Sequence, residues 1–300
     1  MIRILILILL LIPICGCRWL SVLHTSTPNS PVVFEQTPGQ QAFIQAINAN
    51  TANVQQLDAH VRVSIEGVPA RLAGTLNVER PNRLRLKVGL LGMSDVGVDV
   101  GSNEDRFWIW SKFNGAGEEP TIYFANHNEF AASPARNLIP LEPQWIIDAL
   151  GLVQLDPNAT YQGPTPRGDG RLELKMTMNT ASGPMMKVIV VDAKYGFVMQ
   201  QSVYDAQGRL VAYSDAIKHQ YFEEHNANLP TQIDLYVYGP DNQPTKLTLT
   251  ASDYKINELY GDPDRLWTMP TPRDVKTVDL TKVSVPPSTA FRQGPPSSTY

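Results

Sequence analysis

Residues 61–88 read VRVSIEGVPARLAGTLNVERPNRLRLKV, and this stretch decides the fold class. Apolar and polar side chains alternate along residues 61–65 and again along residues 84–88. An alternation with period two is typical of β-strands that have one buried face and one wetter face. The Arg80-Pro81-Asn82 sequence is a turn signal between two such strands. The stretch therefore predicts antiparallel strands that are joined by short turns.

Strands of this kind recur along most of the chain. Further candidates, which alternate or form short apolar runs between turn signals, lie at residues 72–79, 96–101, 107–112, 121–125, 172–178, 186–192, 198–204, 210–217, 233–238 and 247–252. Short connections favour a meander of antiparallel neighbours, and we find no internal repeat and no second domain boundary. The fold class is therefore mainly β.

Two helices accompany the strands. Apolar residues from Phe43 to Leu57 fall at helical spacing, and Thr37-Pro38 before them is a plausible start signal. A second helix is predicted at residues 144–150, where Trp145 and Ile146 belong to one apolar side. The second helix divides the strands into two groups.

Two predicted strands, at residues 107–110 and 188–191, are apolar on both faces. An antiparallel strand that is open to water on one side does not have this pattern. Something apolar therefore covers the second face of these strands. A closed barrel core or a helix lying across the sheet would do so, and so would an apolar ligand in a groove.

The N-terminus has a targeting pattern. Arg3 is followed by an apolar run of about 11 residues, Ile4–Ile14, and then by Cys15-Gly16-Cys17. The run is shorter than the roughly 20 residues that a membrane-spanning helix needs. The pattern resembles a bacterial lipoprotein signal peptide. The resemblance implies that residues 1–16 are removed and that Cys17 carries a covalent lipid such as palmitate.

Two alternatives to this interpretation exist. An uncleaved short membrane anchor is disfavoured by Pro13 and Gly16, because both residues are poor in a helix interior. A eukaryotic secretion signal shares the charged start and the apolar run, but it usually ends in an Ala-x-Ala-like site.

The expected organisation has four parts. Residues 1–16 are the signal peptide, 17–37 a lipidated polar tether, 38–267 the folded domain, and 268–300 a Pro-rich, disordered tail with a short extended piece around 275–285. The chain has 2 cysteines, so the mature protein would have no free thiol for a disulfide or a zinc–thiolate site.

The order of these elements behind the cysteine resembles the LolA/LolB-like family. Residues 67–76 and 80–85 are similar to the family's opening of strand, turn, Arg-Pro and strand, and residues 99–108 to its hairpin that ends in an aromatic strand. The resemblance covers roughly residues 40–255. It implies a curved antiparallel sheet, or half-barrel, of about 10–12 strands, with helices packed over its open side and a hydrophobic cavity between them.

Together these features predict a lipid-anchored cell-envelope protein that binds an acyl chain, a lipid or a lipoprotein and performs no covalent chemistry. Arg18 stands where enteric lipoproteins of the inner membrane have an aspartate, so the outer membrane, facing the periplasm, is the expected location. The candidate ligand-binding residues are Trp108, Trp110, Trp145 and Ile146, because aromatic and branched side chains offer large apolar area. The alternative is an envelope scaffold or sensor that binds a protein partner and fills its own core.

Other functions find little support in the sequence. The net charge is −4 and there is no basic block, which disfavours nucleic acid as a partner. The sequence has no nucleophile elbow, no His-Glu-x-x-His and no P-loop. Among the 5 histidines only His219 and His225 are close together, and they fit a solvated connection better than a metal loop. We therefore expect no metal, no cofactor besides the lipid on Cys17, and no hydrolase.

Overall fold

The computed structural model describes residues 29–93, 95–112, 119–133, 143–180, 183–239, 242–272 and 275–283. The strands are β1 Gln56–Ile65, β2 Arg71–Glu79, β3 Arg83–Leu90, β4 Val98–Ser102, β5 Arg106–Ser111, β6 Thr121–Asn126, β7 Tyr161–Arg167, β8 Arg171–Thr180, β9 Gly183–Asp192, β10 Val198–Tyr204, β11 Leu210–Phe222, β12 Ala227–Tyr238, β13 Pro244–Ile256 and β14 Lys276–Asp279. The helices are α1 Gln40–Ala52, α2 His127–Ala131, α3 Pro143–Ala149 and α4 Pro263–Leu266, and 3-10 turns occupy Glu223–His225 and Leu280–Lys282.

All strands join one 14-stranded sheet in the order β14-β6-β5-β4-β3-β2-β1-β13-β12-β11-β10-β9-β8-β7. Consecutive strands pair antiparallel within β1–β6 and within β7–β13, as the short turns predict, and the two groups meet where β1 pairs with β13. The sheet is curved. Its strand order begins with β14 and ends with β7, which do not pair with each other, so the sheet does not close into a barrel. The predicted fold class, a mainly β half-barrel with helices on it, is confirmed.

The sheet has two strands more than the sequence pattern predicts. β7 was missed because Tyr161–Arg167 contains Gly163, Pro164 and Pro166, which interrupt any alternation. β14 falls within the segment that was predicted to be a Pro-rich tail, at the place of its short extended piece. It pairs with β6 in parallel, with Lys276 opposite Thr121. β14 forms because Leu280 directly behind it is buried against Phe107 and Phe130.

Helix α1 ends earlier than the apolar spacing of residues 43–57 predicts. It ends at Ala52, and Leu57 is buried as a residue of β1 instead. Arg80 holds the end of the helix, because its Nη1 donates to the carbonyl oxygen of Thr51 at 2.7 Å and its Nη2 to Gln154 Oε1 at 3.0 Å. A cation at this position also interacts favourably with the helix dipole. Burial lowers the pKa of Arg80, and nearby Asp148 partly offsets the effect.

The main core lies on one face of the sheet, which we call the inner face. Alternate residues of β1–β3, β12 and β13 form it together with Ile147, Leu150 and Leu152 from α3 and the segment behind it. Helix α1 packs Phe43, Ile44 and Ile47 on the inner face of β8 and β9. Both helices therefore lie over the same side of the sheet. The opposite side is the outer face.

The two strands that are apolar on both faces are covered without a closed barrel. In β5, Phe107 belongs to a cluster with α2, while Trp108 on the outer face lies against the Arg85 guanidinium, 4.9 Å from the ring centroid. In β9, the outer residues Val188 and Val190 are register partners of Lys175 and Glu173, whose long side chains flank them.

The segment before α1 packs on the domain from residue 30 onward. Phe34 is buried and stacks on Phe43 with ring centroids 5.8 Å apart, and its backbone N–H donates to the Lys194 carbonyl oxygen. The predicted tether includes these residues, whereas Cys17 and the signal peptide lie outside the described residues. In the described part of the chain, no helix is both long and apolar enough to cross a membrane.

Candidate ligand-binding site

Helix α3 is fixed to the inner face by a buried ion pair. Asp148 on the helix pairs with Lys187 on β9, and their side chains are only 9% and 8% exposed. Gln144, one turn earlier in α3, donates to the other oxygen of Asp148 at 2.9 Å. Separating the two partners would leave two uncompensated charges in a buried place. The ion pair therefore fixes the position of the helix over β9–β11.

On one side of α3 the inner face is filled by the chain's own side chains. Ile147 and Leu152 are almost completely buried against residues such as Leu57 and Leu229. On the other side of α3 the apolar side chains of the inner face are less completely buried. Apolar side chains there pack on the core clusters but stay partly exposed, and we call them the inner apolar surface: Leu86, Leu90, Val98, Ile146, Met178, Val211 and Leu235.

Strand register places the inner apolar surface near one end of the sheet. Leu90 ends β3, Val98 begins β4, and Val211 follows the turn between β10 and β11. Met178 pairs with Met185 close to the connection between β8 and β9. Ile146 contacts both clusters and therefore lies at the centre of the surface. The adjoining β3–β4 turn carries Leu91 and Met93, which are 57% and 67% exposed.

Two buried polar atoms lie next to this surface without a partner. Trp145 Nε1 and Gln201 Oε1 form no hydrogen bond within the described ranges. Trp145 packs against Val203, which lies two residues from Gln201 on the same face of β10. An unsatisfied buried polar group costs about 1–3 kcal/mol. A ligand with both a donor and an acceptor, or a carbonyl oxygen facing Trp145, would relieve that cost.

The structure brings together only two of the four predicted ligand residues. Trp145 and Ile146 lie at the inner apolar surface. Trp108 and Trp110 belong to the outer face, where Trp108 Nε1 approaches Asp99 Oδ1 at 3.4 Å. The sequence shows that β5 is apolar on both sides but does not show which side faces α3. The register decides it, because Gly101, which lies opposite Trp108, alternates with the inner residue Val100.

Sequence reasoning missed Asp148, Lys187 and Gln201. A signal for the ion pair was present, since Lys187 interrupts the apolar run of β9 and Asp148 lies beside Ile147 in an otherwise apolar helix. Two opposite charges at positions that should be buried are expected to meet.

The described residues contain no cluster of three or more His, Cys, Asp or Glu that could hold a metal ion. His219 is buried, and its Nε2 lies 3.1 Å from the Val198 carbonyl oxygen. His225 lies in the 3-10 turn at the end of β11.

Some solved structures of other proteins are similar to this chain at low sequence identity. No protein-family model and no curated protein matches the sequence. A solved structure of a DUF1329 family protein from Desulfovibrio piger is 13% identical, covers 76% of this chain and 96% of its own, and has a TM-score of 0.48. A LolA superfamily protein from Nitrosomonas europaea is 14% identical, with 75% and 97% covered and a TM-score of 0.43. A protein domain from Vibrio parahaemolyticus, described as outer membrane lipoprotein-sorting, is 10% identical, with 74% and 95% covered and a TM-score of 0.48.

The second and third of these structures carry the name or the described role of the family that the sequence resembles. At these identities and TM-scores the likeness concerns the fold. What the chain binds has to follow from its own side chains.

Proposed function

We propose that this chain is a non-catalytic cell-envelope protein that binds the acyl part of a lipid or lipoprotein on its inner apolar surface. The observation that carries the proposal is the convergence of partly exposed apolar side chains from both groups of strands on Ile146 of α3. Contiguous apolar area that a folded domain leaves accessible marks binding sites. An acyl chain laid along Leu86, Leu235 and Ile146 would complete their burial.

The size of the hydrophobic effect makes such binding both useful and reversible. Each buried methylene contributes roughly 0.8 kcal/mol, so about ten methylenes contribute roughly 8 kcal/mol before the costs of association are subtracted. The remaining free energy corresponds to weak or moderate affinity. A protein that must also release its ligand needs an affinity in this range.

The two unpartnered polar atoms give the ligand a second requirement. A carbonyl oxygen of an ester or amide can accept a hydrogen bond from Trp145 Nε1, which a plain hydrocarbon cannot do. We therefore expect acylated molecules to bind better than alkanes of the same length.

The proposal places the protein at the outer membrane, facing the periplasm, anchored by a lipid on Cys17. The basis is the pattern of residues 3–17, and the anchor lies outside the described residues. Phe34 packs on α1, which leaves residues 18–29 as the length of chain available between a lipid and the domain.

Titration with a fluorescent fatty acid tests the binding function. Ile146→Glu puts a charge at the centre of the inner apolar surface, and because Ile146 is partly exposed the variant should still fold. We expect saturable binding by the parent protein and at least tenfold weaker binding by the variant. Val32→Glu is the matched control, since Val32 is 51% exposed beside the β9–β10 turn, at the opposite end of the strands from the inner apolar surface. Absence of saturable binding by the parent protein, or equal binding by both variants, would contradict the proposal.

A second function, a scaffold or sensor for a protein partner, is favoured by the filled side of the inner face. Ile147, Leu150 and Leu152 leave no room for a ligand over β1 and β2. In that case the fatty acid would not bind, and the exposed Leu91 and Met93 would be the first residues to examine for contact with a partner.

A further inference from the structure

A polar cleft of about 560 Å³ lies on the outer face, on the opposite side of the sheet from the inner apolar surface. We call it the outer cleft. Its floor consists of side chains from β1, β2, β3 and β13, and residues 260–266 form its roof. Its lining includes Asp58, Thr75, Lys87, Lys255, Tyr260 and Arg265.

The roof is held in place by the buried residue Arg85. Its Nη1 donates to the carbonyl oxygens of Leu266 at 3.1 Å and Thr268 at 2.7 Å, and its Nε lies 2.6 Å from Asp99 Oδ1. Asn103 adds a hydrogen bond to the Trp267 carbonyl oxygen at 3.0 Å. The cleft is therefore formed before a ligand arrives, which lowers the entropic cost of binding.

Two lysines in the outer cleft lack an acidic partner. Lys87 and Lys255 form no ion pair with any residue that the structure describes, whereas Arg265 lies 3.5 Å from Asp262 in the roof. The Lys255 ammonium lies 4.6 Å from the centroid of the Tyr260 ring. Burial, followed by the charge of Arg85, lowers the pKa of Lys87, so an anion beside it would be favourable. The carboxylates that line the cleft are Asp58 and Asp262, and the cations are Lys87, Lys255 and Arg265, which leaves an excess of one positive charge.

The remaining free groups in the outer cleft are neutral or acceptors. Asp58 Oδ2 accepts from Asn77 Nδ2, and among the described residues its Oδ1 has no hydrogen-bond donor. The Thr75 hydroxyl lines the floor, and the Tyr260 side chain is 77% exposed at the rim. Groups of this kind form hydrogen bonds with ligand hydroxyls, which both donate and accept.

We propose that the outer cleft binds a phosphorylated polyol. The phosphate would lie between Lys87 and Lys255, and hydroxyls of the polyol would meet Asp58 and Thr75. β3 and β13 are separated by two strands, about 14 Å at the usual spacing. Two long lysine side chains that line one cleft at that strand separation suit a phosphate, whose tetrahedral oxygens accept hydrogen bonds from several directions.

Such a group has two sources, a free polyol phosphate or the headgroup of a glycerophospholipid. Calorimetric titration of the full chain in a neutral detergent distinguishes them, with sn-glycerol 3-phosphate as one probe and short-chain phosphatidylglycerol as the other. Inorganic phosphate is a third titrant. Binding of the first probe indicates a soluble ligand. Lysine-dependent binding of the second probe alone indicates a lipid headgroup.

Lys87→Gln and Lys255→Gln are each expected to weaken the binding of the preferred probe about tenfold or more, since each removes a charged hydrogen-bond donor. Lys218→Gln is the matched control, because Lys218 is an exposed lysine of β11 outside the cleft. Lys255 is exposed, so its variant decides the question if Lys87→Gln fails to fold. Absence of saturable binding by both probes, or binding by both lysine variants that is as strong as that of the parent protein, would overturn the proposal. Equal affinity for inorganic phosphate would overturn its polyol part.

Discussion

Single residues decide which face of the sheet a neighbouring side chain occupies. Gly101 on β4 lies opposite Trp108 on β5, and the indole fills the space where a side chain on residue 101 would be. Trp108 can therefore lie flat beneath Arg85 and Asp99. The aromatic pattern of residues 107–110 predicted large side chains on both faces, but only the pairing with Gly101 shows where Trp108 lies.

The Gly101→Ala substitution tests this packing. An added Cβ would lie 2.1 Å from Trp108 Cζ2, so the indole or the strand must move. We expect a loss of about 1–3 kcal/mol in the free energy of unfolding, measured by urea denaturation, as is typical of overpacking. Gly168→Ala is the control, because nothing lies within 4 Å of its Cβ position. Equal stability of both variants would mean that Trp108 does not occupy this place.

At the level of elements, α3 is the part that connects the two groups of strands. It carries Ile147 into the core of β1–β3 and Trp145 into the cluster of β9–β11. The Asp148–Lys187 pair sets its position. The sequence predicted the helix and its apolar side, because that information is local. The ion pair was missed because its two charges stand in separate elements, each of which was interpreted on its own apolar pattern.

Removal of one member of that pair should lower the stability of the fold. Lys187→Met leaves Asp148 as a buried charge without its partner, and we expect a loss of about 3–5 kcal/mol in the free energy of unfolding. The double variant Asp148→Leu with Lys187→Met removes both charges and should recover most of the loss. Urea denaturation of the four proteins of this double-mutant cycle gives the coupling. Additive effects of the two substitutions would show that the pair does not hold α3.

The same reasoning explains which strands the sequence predicted. Twelve segments with alternation or apolar runs all became strands, because one or both of their faces are buried. β7 and β14 are the exceptions, and both lie at the edges of the sheet. An edge strand needs only one partner, so Pro164 and Pro166 are tolerated in β7. Their formation depends on a neighbour that is remote in sequence, which a local pattern does not contain.

For the whole molecule, the segment behind α4 protects an edge. β14 covers the backbone of β6, and Leu280 covers the end of the Phe107 cluster. A long uncovered edge strand is a template for association with another chain. The prolines of residues 268–300 predicted a disordered tail with a short extended piece around 275–285, and β14 lies at that piece.

Truncation should therefore have a length-dependent effect. A chain that ends at Val275 lacks β14 and exposes β6, and we expect it to self-associate, as measured by light scattering during size-exclusion chromatography. A chain that ends at Val283 keeps β14 and Leu280 and serves as the control. Monomeric behaviour of both chains would mean that β14 is not needed to protect the edge.

The pairing of β1 with β13 has a consequence for how the protein folds during its synthesis. Leu57 pairs with Ile256, so the centre of the sheet joins two segments that are synthesised far apart in time. Closing such a long loop has a high entropic cost and slows folding. Until β13 emerges, β1 lacks one of its two partners, so a sheet of the first six strands alone would have β1 as an open edge. A chain built in this order gains from staying unfolded until it is complete, as a polypeptide does when it is threaded across a membrane before it folds.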